Sequence, residues 1–249
     1  MISLKARFCD LYPLIVLWKK ETKSIMISPI FPLLLILTLC GTSLSLLANN
    51  YWLFNKTSDL KNYFLSIPFL LAILIPMLTM NVWADEKKQH TDHFLLSLPI
   101  SSRHIIYGKY SSHLFIWLIM WLITLIPPLS LIELLQTSLA PFFLSYANIY
   151  IFGSTLIAIS DAISFASSYS ALNFIFSFLA IVFLNIIHVF SSVFYRWEVM
   201  ESFISYFSFY THFQNASKGI FDSRDFLFYF ALLVFALEAN IFLLKYDKK

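Results

Sequence analysis

Six apolar runs, each about as long as a bilayer is thick, dominate this sequence. In hydrocarbon only a helix or a closed barrel satisfies its own backbone, so runs of about 20 apolar residues constrain the chain to helices that cross a membrane. They occupy residues 29–48, 63–83, 112–131, 141–166, 171–195 and 226–244. Soluble domains carry about 25% charged residues, whereas this chain of 249 residues is 12% charged and 59% hydrophobic. Several runs are apolar on every face, which a water-facing helix cannot be. The expected fold is all-α: a polytopic membrane protein with six transmembrane helices and an N-terminal interfacial helix, forming a single membrane domain over residues 1–249.

The connections differ in character. Residues 49–62 form a polar link, while Pro127 and Pro128 followed by Glu133 and Gln136 turn the third and fourth runs into a hairpin. Between the fourth and fifth runs stand only Ser167, Ser168, Tyr169 and Ser170, which requires a tight turn at the membrane surface. Cytoplasmic flanks retain Lys and Arg. Lys5, Arg7, Lys19, Lys20, Lys23, Lys87, Lys88, Arg103, Lys109, Lys245, Lys248 and Lys249 fall on one side, against Lys56, Lys61, Arg196, Lys218 and Arg224 on the other. Both termini are therefore expected in the cytoplasm. The net charge of +3 reflects this asymmetry and attraction to anionic lipid headgroups; no basic patch with interleaved aromatics points to nucleic acid.

Residues 4–23 mix Leu11, Leu14, Ile15, Leu17 and Trp18 with basic residues, as a helix lying in the cytoplasmic interface would, and Pro13 and Pro29 are expected to bend or end it. No apolar core before a small-residue cleavage site marks a signal peptide here. The topology separates Cys9 from Cys40, so no disulfide is expected between them.

The largest cytoplasmic loop, residues 85–111, is the most informative segment. With its neighbours it reads ADEKKQHTDHFLLSLPISSRHIIYGKYSSH. A charged half leads into Phe94, Leu95, Leu96 and Leu98, a stretch too short to span, which Pro99 stops. A second short helix is then expected, capped by Ser101 or Ser102, with Arg103 and Lys109 on its polar side and Ile105, Ile106 and Tyr107 on its apolar side.

Two acidic residues, a basic stretch, a Thr, then LLSLPIS and GKY resemble the cytoplasmic loop of ABC transporter permeases of the ABC-2 exporter class, especially the gliding-motility branch. Residues 17–35 (LWKKETKSIMISPIFPLLL) are similar to that family's amphipathic leading helix and first span, and residues 68–86 (PFLLAILIPMLTMNVWADE) to its second. Residues 208–230 (SFYTHFQNASKGIFDSRDFLFYF) resemble the stretch before its last span. The resemblance implies a permease subunit in a bacterial inner membrane, multi-pass, paired with a second copy or a related permease. Two ABC ATP-binding subunits would use the ATP, and this chain would hold no cofactor or metal. Carried over residue by residue, it places Asp85, Glu86, Leu96, Leu98, Pro99, Arg103, Gly108 and Lys109 in the ATPase-coupling loop. His93 stands where the family often has Glu, and Asp92 is expected to make the salt bridge in its place.

Enzyme signatures are missing. GxxxxGK[ST], HExxH and GxSxG do not occur, and four glycines leave little for a phosphate cradle. His90, His93 and His104 lie in a charged loop without a Cys partner and read as solvated side chains. A stand-alone carrier or an intramembrane enzyme with an unfamiliar site is the competing reading. Within the spans, Asp161 with Ser160 and Ser164 is the candidate translocation path or dimer interface, because a carboxylate in hydrocarbon is costly.

Overall fold

Each apolar run closes its backbone hydrogen bonds within itself, and a computed structural model shows the result: helices, with no strand among the described residues. Residues 2–48, 61–97, 100–129, 139–193, 208–217 and 222–247 are described. The helices are α1 (Ile2–Ile27), α2 (Ile30–Ala48), α3 (Lys61–Thr79), α4 (Ala84–Lys88), α5 (Asp92–Ser97), α6 (Ser102–Thr124), α7 (Leu139–Ile163), α8 (Ser170–Val193), α9 (Phe209–Ser217) and α10 (Ser223–Asp247). Among the described residues, six segments are long and apolar enough to cross a membrane: Ile30–Leu47, Tyr63–Lys88, Ser102–Leu129, Leu139–Ala166, Ser170–Ile187 and Ser223–Tyr246. The six expected spans are all present.

Their ends hold one correction. The third span begins at Ser102 rather than near residue 112, because the expected loop helix runs into it without a break. Ser101 caps it: its backbone is extended (φ −69, ψ 145) and its hydroxyl accepts from His104 N–H at 3.3 Å. Beyond the cap no proline interrupts the helix, and Ile105, Ile106, Gly108, Lys109 and Tyr110 are all buried. Lys109 is thus inside, not on a polar face. Helix α1 continues through Pro13 and ends before Pro29.

The tight turn between the fourth and fifth spans is as short as expected. One 3₁₀ turn, Ser164–Ala166, closes the fourth, and Tyr169 C=O accepts from Leu172 and Asn173 N–H at 3.1 Å to start α8. The connections at 49–60, 130–138 and 194–207 lie outside the described residues.

Packing sorts the spans. α3 and α7 form the centre, with 61% of their best spanning windows buried, against 22% for α2 and α8, which leave Leu33, Ile36, Leu44, Leu179 and Phe183 bare for lipid or another membrane chain. α6 lies against α7 and α1, and α10 against α7. Gly108 lets α1 close on α6, since a Cβ there would stand 3.1 Å from Leu17 Cβ. At the opposite end of the bundle from the α4–α5 loop, Tyr146 O–H donates to Thr124 C=O at 2.7 Å and lies 2.8 Å from Tyr63 Oη. Helix α9, too short to read as a span, tucks Phe209 and Phe213 against Phe152, and His212 holds Asp225 of α10 at 2.5 Å.

Candidate functional site

The loop end of the bundle is built around one buried ammonium. Lys109 of α6 is 2% exposed. Its Nζ lies 3.0 Å from Glu86 of α4 and 3.4 Å from Glu21 of α1, donates to Val82 C=O at 2.9 Å, and sits 4.6 Å above the Trp83 ring. Lys20, largely in solvent, adds 3.5 Å contacts to both carboxylates. A lysine so buried needs this company, because an unpaired charge away from water is strongly unfavourable. Three helices far apart in sequence are thereby tied at one point.

A second tie runs the other way from α4. Lys87 donates to Phe165 C=O at 2.7 Å and lies 3.9 Å over the Phe165 ring, while Trp83 meets that ring edge-on. Asn173 of α8 donates to Met80 C=O at 3.3 Å and to Ser167 C=O at 2.9 Å. The segment that closes the second span is therefore fastened to α1 and α6 on one side and to the α7–α8 turn on the other.

The candidate loop residues divide accordingly. Asp85 and Arg103 are exposed, whereas Glu86 and Lys109 pair with each other in the interior knot and Gly108 lies against Leu17 of α1. Asp92 opens α5, and its Oδ1 is buried without a partner among the described residues. His93 and Leu96 fall within α5; Leu98 and Pro99 lie outside the described residues. His90 turns the chain between α4 and α5 with φ 54, a left-handed conformation uncommon for a side-chain-bearing residue, and His104 pairs with the Ser101 hydroxyl. Phe94, 68% exposed, points away from the bundle while Leu95 anchors α5 to it.

Burial pushes the Glu21 carboxyl up, but Lys109 and Lys20 beside it outweigh this and hold it below its ordinary value of 4.5. A depressed carboxylate contributes stability that is complete above the ordinary value and is lost as pH falls through the lowered one. The unfolding midpoint in detergent should thus drop more steeply in wild type than in Glu21→Gln as pH is taken below 4.5. Parallel curves would show that Glu21 contributes no such linkage.

Asp161, Ser160 and Ser164 are buried inside the protomer at 3%, 0% and 0% exposure. Ser160 pairs with Thr79 of α3 at 2.6 Å, and Ser164 O–H donates to Asp161 C=O at 2.8 Å. Asp161 Oδ2 lies 3.2 Å from His113 Nδ1 on α6. His113 also lines a cavity of about 240 Å³ whose mouth carries Lys20, Glu21, Asp85 and Glu86 and whose walls include Leu34 and Leu78.

The sequence reading missed Glu21, Lys87 and His113. His113 had a legible signal: Tyr110, His113, Trp117 and Trp121 recur at helical spacing on one face of α6. Tyr110, Trp117 and Trp121 donate across to the carbonyls of Ser154, Tyr150 and Tyr146 on α7.

The family described as ABC-2 family transporter protein matches residues 47–241. The chain belongs to that family. No curated protein matches it. As an ABC-2 family member it is a membrane component of an ABC transporter, a class that works with an ABC ATPase subunit. The matched stretch contains every loop residue named above and the whole α6–α7 seam, but leaves α1 outside.

Proposed function

We propose that this ABC-2 family member is the permease subunit of an ATP-driven exporter and that its α4–α5 loop receives the motion of a separate ATPase. The observation that carries the reading is the double fastening of α4. A push on a loop tied through Glu86–Lys109–Glu21 to α1 and α6, and through Lys87–Phe165 to the α7–α8 turn, is passed to four elements at once. Loops without such ties would absorb it locally. Asp85, His93, Leu96, Leu98, Pro99 and Arg103 are the residues proposed to meet the ATPase, and Glu86, Gly108 and Lys109 to transmit. Hydrolysis of ATP belongs to the partner. The Lys and Arg excess favours a cytoplasmic loop and cytoplasmic termini, and the membrane proposed is a bacterial inner membrane. A second permease copy, or a related one, packs against the bare faces of α2 or α8. The gliding-motility branch is the proposed relationship within the family.

Affinity purification of the full chain from native membranes tests this. An ABC ATP-binding subunit is expected to co-purify, and Arg103→Glu to reduce its recovery about tenfold or more, since reversing a charge at an interface costs several kcal/mol. If no ATPase is recovered, and alanines at Leu98, Pro99 and Arg103 change nothing, the reading fails.

A further inference from the structure

The cross-helix bonds joining α6 to α7 are not all of one kind. Tyr110, Trp117 and Trp121 are permanent donors to backbone carbonyls, with donor–acceptor distances of 3.1, 3.1 and 2.9 Å. The fourth bond, His113 Nδ1 to Asp161 Oδ2 at 3.2 Å, joins two groups that gain and lose protons. Both side chains are 5% exposed. Asp161 Oδ1 is buried without a partner among the described residues, so His113 is the one side chain seen to compensate the carboxylate. A lone carboxylate at such a place is strongly unfavourable. One proton shared by the pair, whether as imidazolium and carboxylate or as imidazole and carboxylic acid, makes it neutral.

We propose that His113 and Asp161 form a proton-binding site, filled from the loop end through the cavity. His113 holds Asp161 through Nδ1 and also lines the cavity, so the pair borders the space that opens at the loop end. The charged groups around the cavity come from several elements. From α1 come Glu21 and Lys20, and from the end of the second span Asp85 and Glu86, so the mouth carries three carboxylates and one ammonium. Lys109 of α6 is held by Glu21 and Glu86, and Tyr110 of α6 spends its O–H on Ser154. α2 and residues 71–79 of α3 bring only apolar and hydroxyl side chains to this side, while α10 turns Glu238 and Lys245 outward and buries Asn240. Loss of the proton leaves a negative charge in the seam near the loop end, and the three neutral bonds remain. Proton occupancy would therefore set how firmly α6 and α7 close there, a property of the chain that does not depend on which ATPase it meets.

The test uses the full chain in lipid nanodiscs, without an ATPase, labelled with ¹⁵N at its six histidines. His113→Gln assigns the His113 signal. That signal is expected to respond to pH in wild type and to respond differently in Asp161→Asn, because the carboxylate bonded to the ring is gone. Infrared difference spectra of the same samples read the other partner: a protonated-carboxyl band that changes with pH in wild type and is missing in Asp161→Asn. Glu238→Gln, on the outward side of α10, is the control that leaves both readouts unchanged. If neither the His113 signal nor a carboxyl band responds to pH, or if the responses are the same in Asp161→Asn, the site does not bind a proton as proposed. Ser24→Trp at the cavity lining is expected to slow hydrogen exchange at the His113 ring; unchanged exchange overturns the route.

Discussion

Replacing Lys109 by Met is expected to destabilise the protein by about 3–5 kcal/mol, the range seen when one partner of a buried ion pair is removed. For a chain of this size that corresponds to a fall of about 10 °C in the unfolding midpoint. The methionine fills the same space, so the loss is electrostatic: Glu21 and Glu86, at 16% and 12% side-chain exposure, would face each other with only Lys20, itself 60% exposed, for compensation. Val82 C=O would also lose its donor. The decisive comparison is Glu21→Gln, Glu86→Gln and Lys109→Met together, which removes the charges as a set. Buried charge clusters replaced as a whole often cost little, so the triple variant should recover most of the midpoint measured by thermal unfolding in detergent. If the triple is as damaged as the single, the packing of Lys109's stem and its bond to Val82 hold the knot, and the charges do not.

How much of this was legible depended on the range of the interaction. The spans follow from a local requirement, about 20 residues of uninterrupted hydrocarbon contact, and all six were readable from runs such as 29–48 and 63–83. The start of the third span was not, because Lys109 reads as a surface charge until its acidic partners are known, and Glu21 stands 88 residues away. Asp161 stood out by its cost in an apolar run, whereas its partner His113 was hidden in a stripe of aromatics that packs equally well as plain core. Helix α9 has only 9 residues and mixed polarity, so the length rule passes over it; Phe209 and Phe213 at i and i+4 were its one pattern. The double fastening of α4 rests on Phe165, Asn173, Glu21 and Lys109, none of them near it in sequence, and only the folded chain brings them together.

The same seam yields the second large effect, at Gly153→Ala. Glycine lets α7 approach α6 until the Trp117 ring lies on its backbone, as small residues do between membrane helices. A Cβ at position 153 would stand 2.5 Å from Trp117 Cε2 and 2.7 Å from Nε1, well inside contact distance. The indole cannot swing aside cheaply, because it is rigid, 1% exposed, and fixed by its N–H bond to Tyr150 C=O at 3.1 Å. Overpacking of this kind costs about 1–3 kcal/mol, and here the lost hydrogen bond adds about 1 more. Gly41→Ala is the matched comparison: its new methyl meets only the end of the Leu70 side chain, including Cδ2 at 3.2 Å, which another rotamer relieves. The unfolding midpoint should fall clearly for Gly153→Ala and little for Gly41→Ala. Combining Gly153→Ala with Trp117→Phe should cost less than the sum of the two, since the smaller ring removes the clash that the methyl creates. Strict additivity would mean the ring and the glycine do not press on each other, and the seam's closeness would then need another cause.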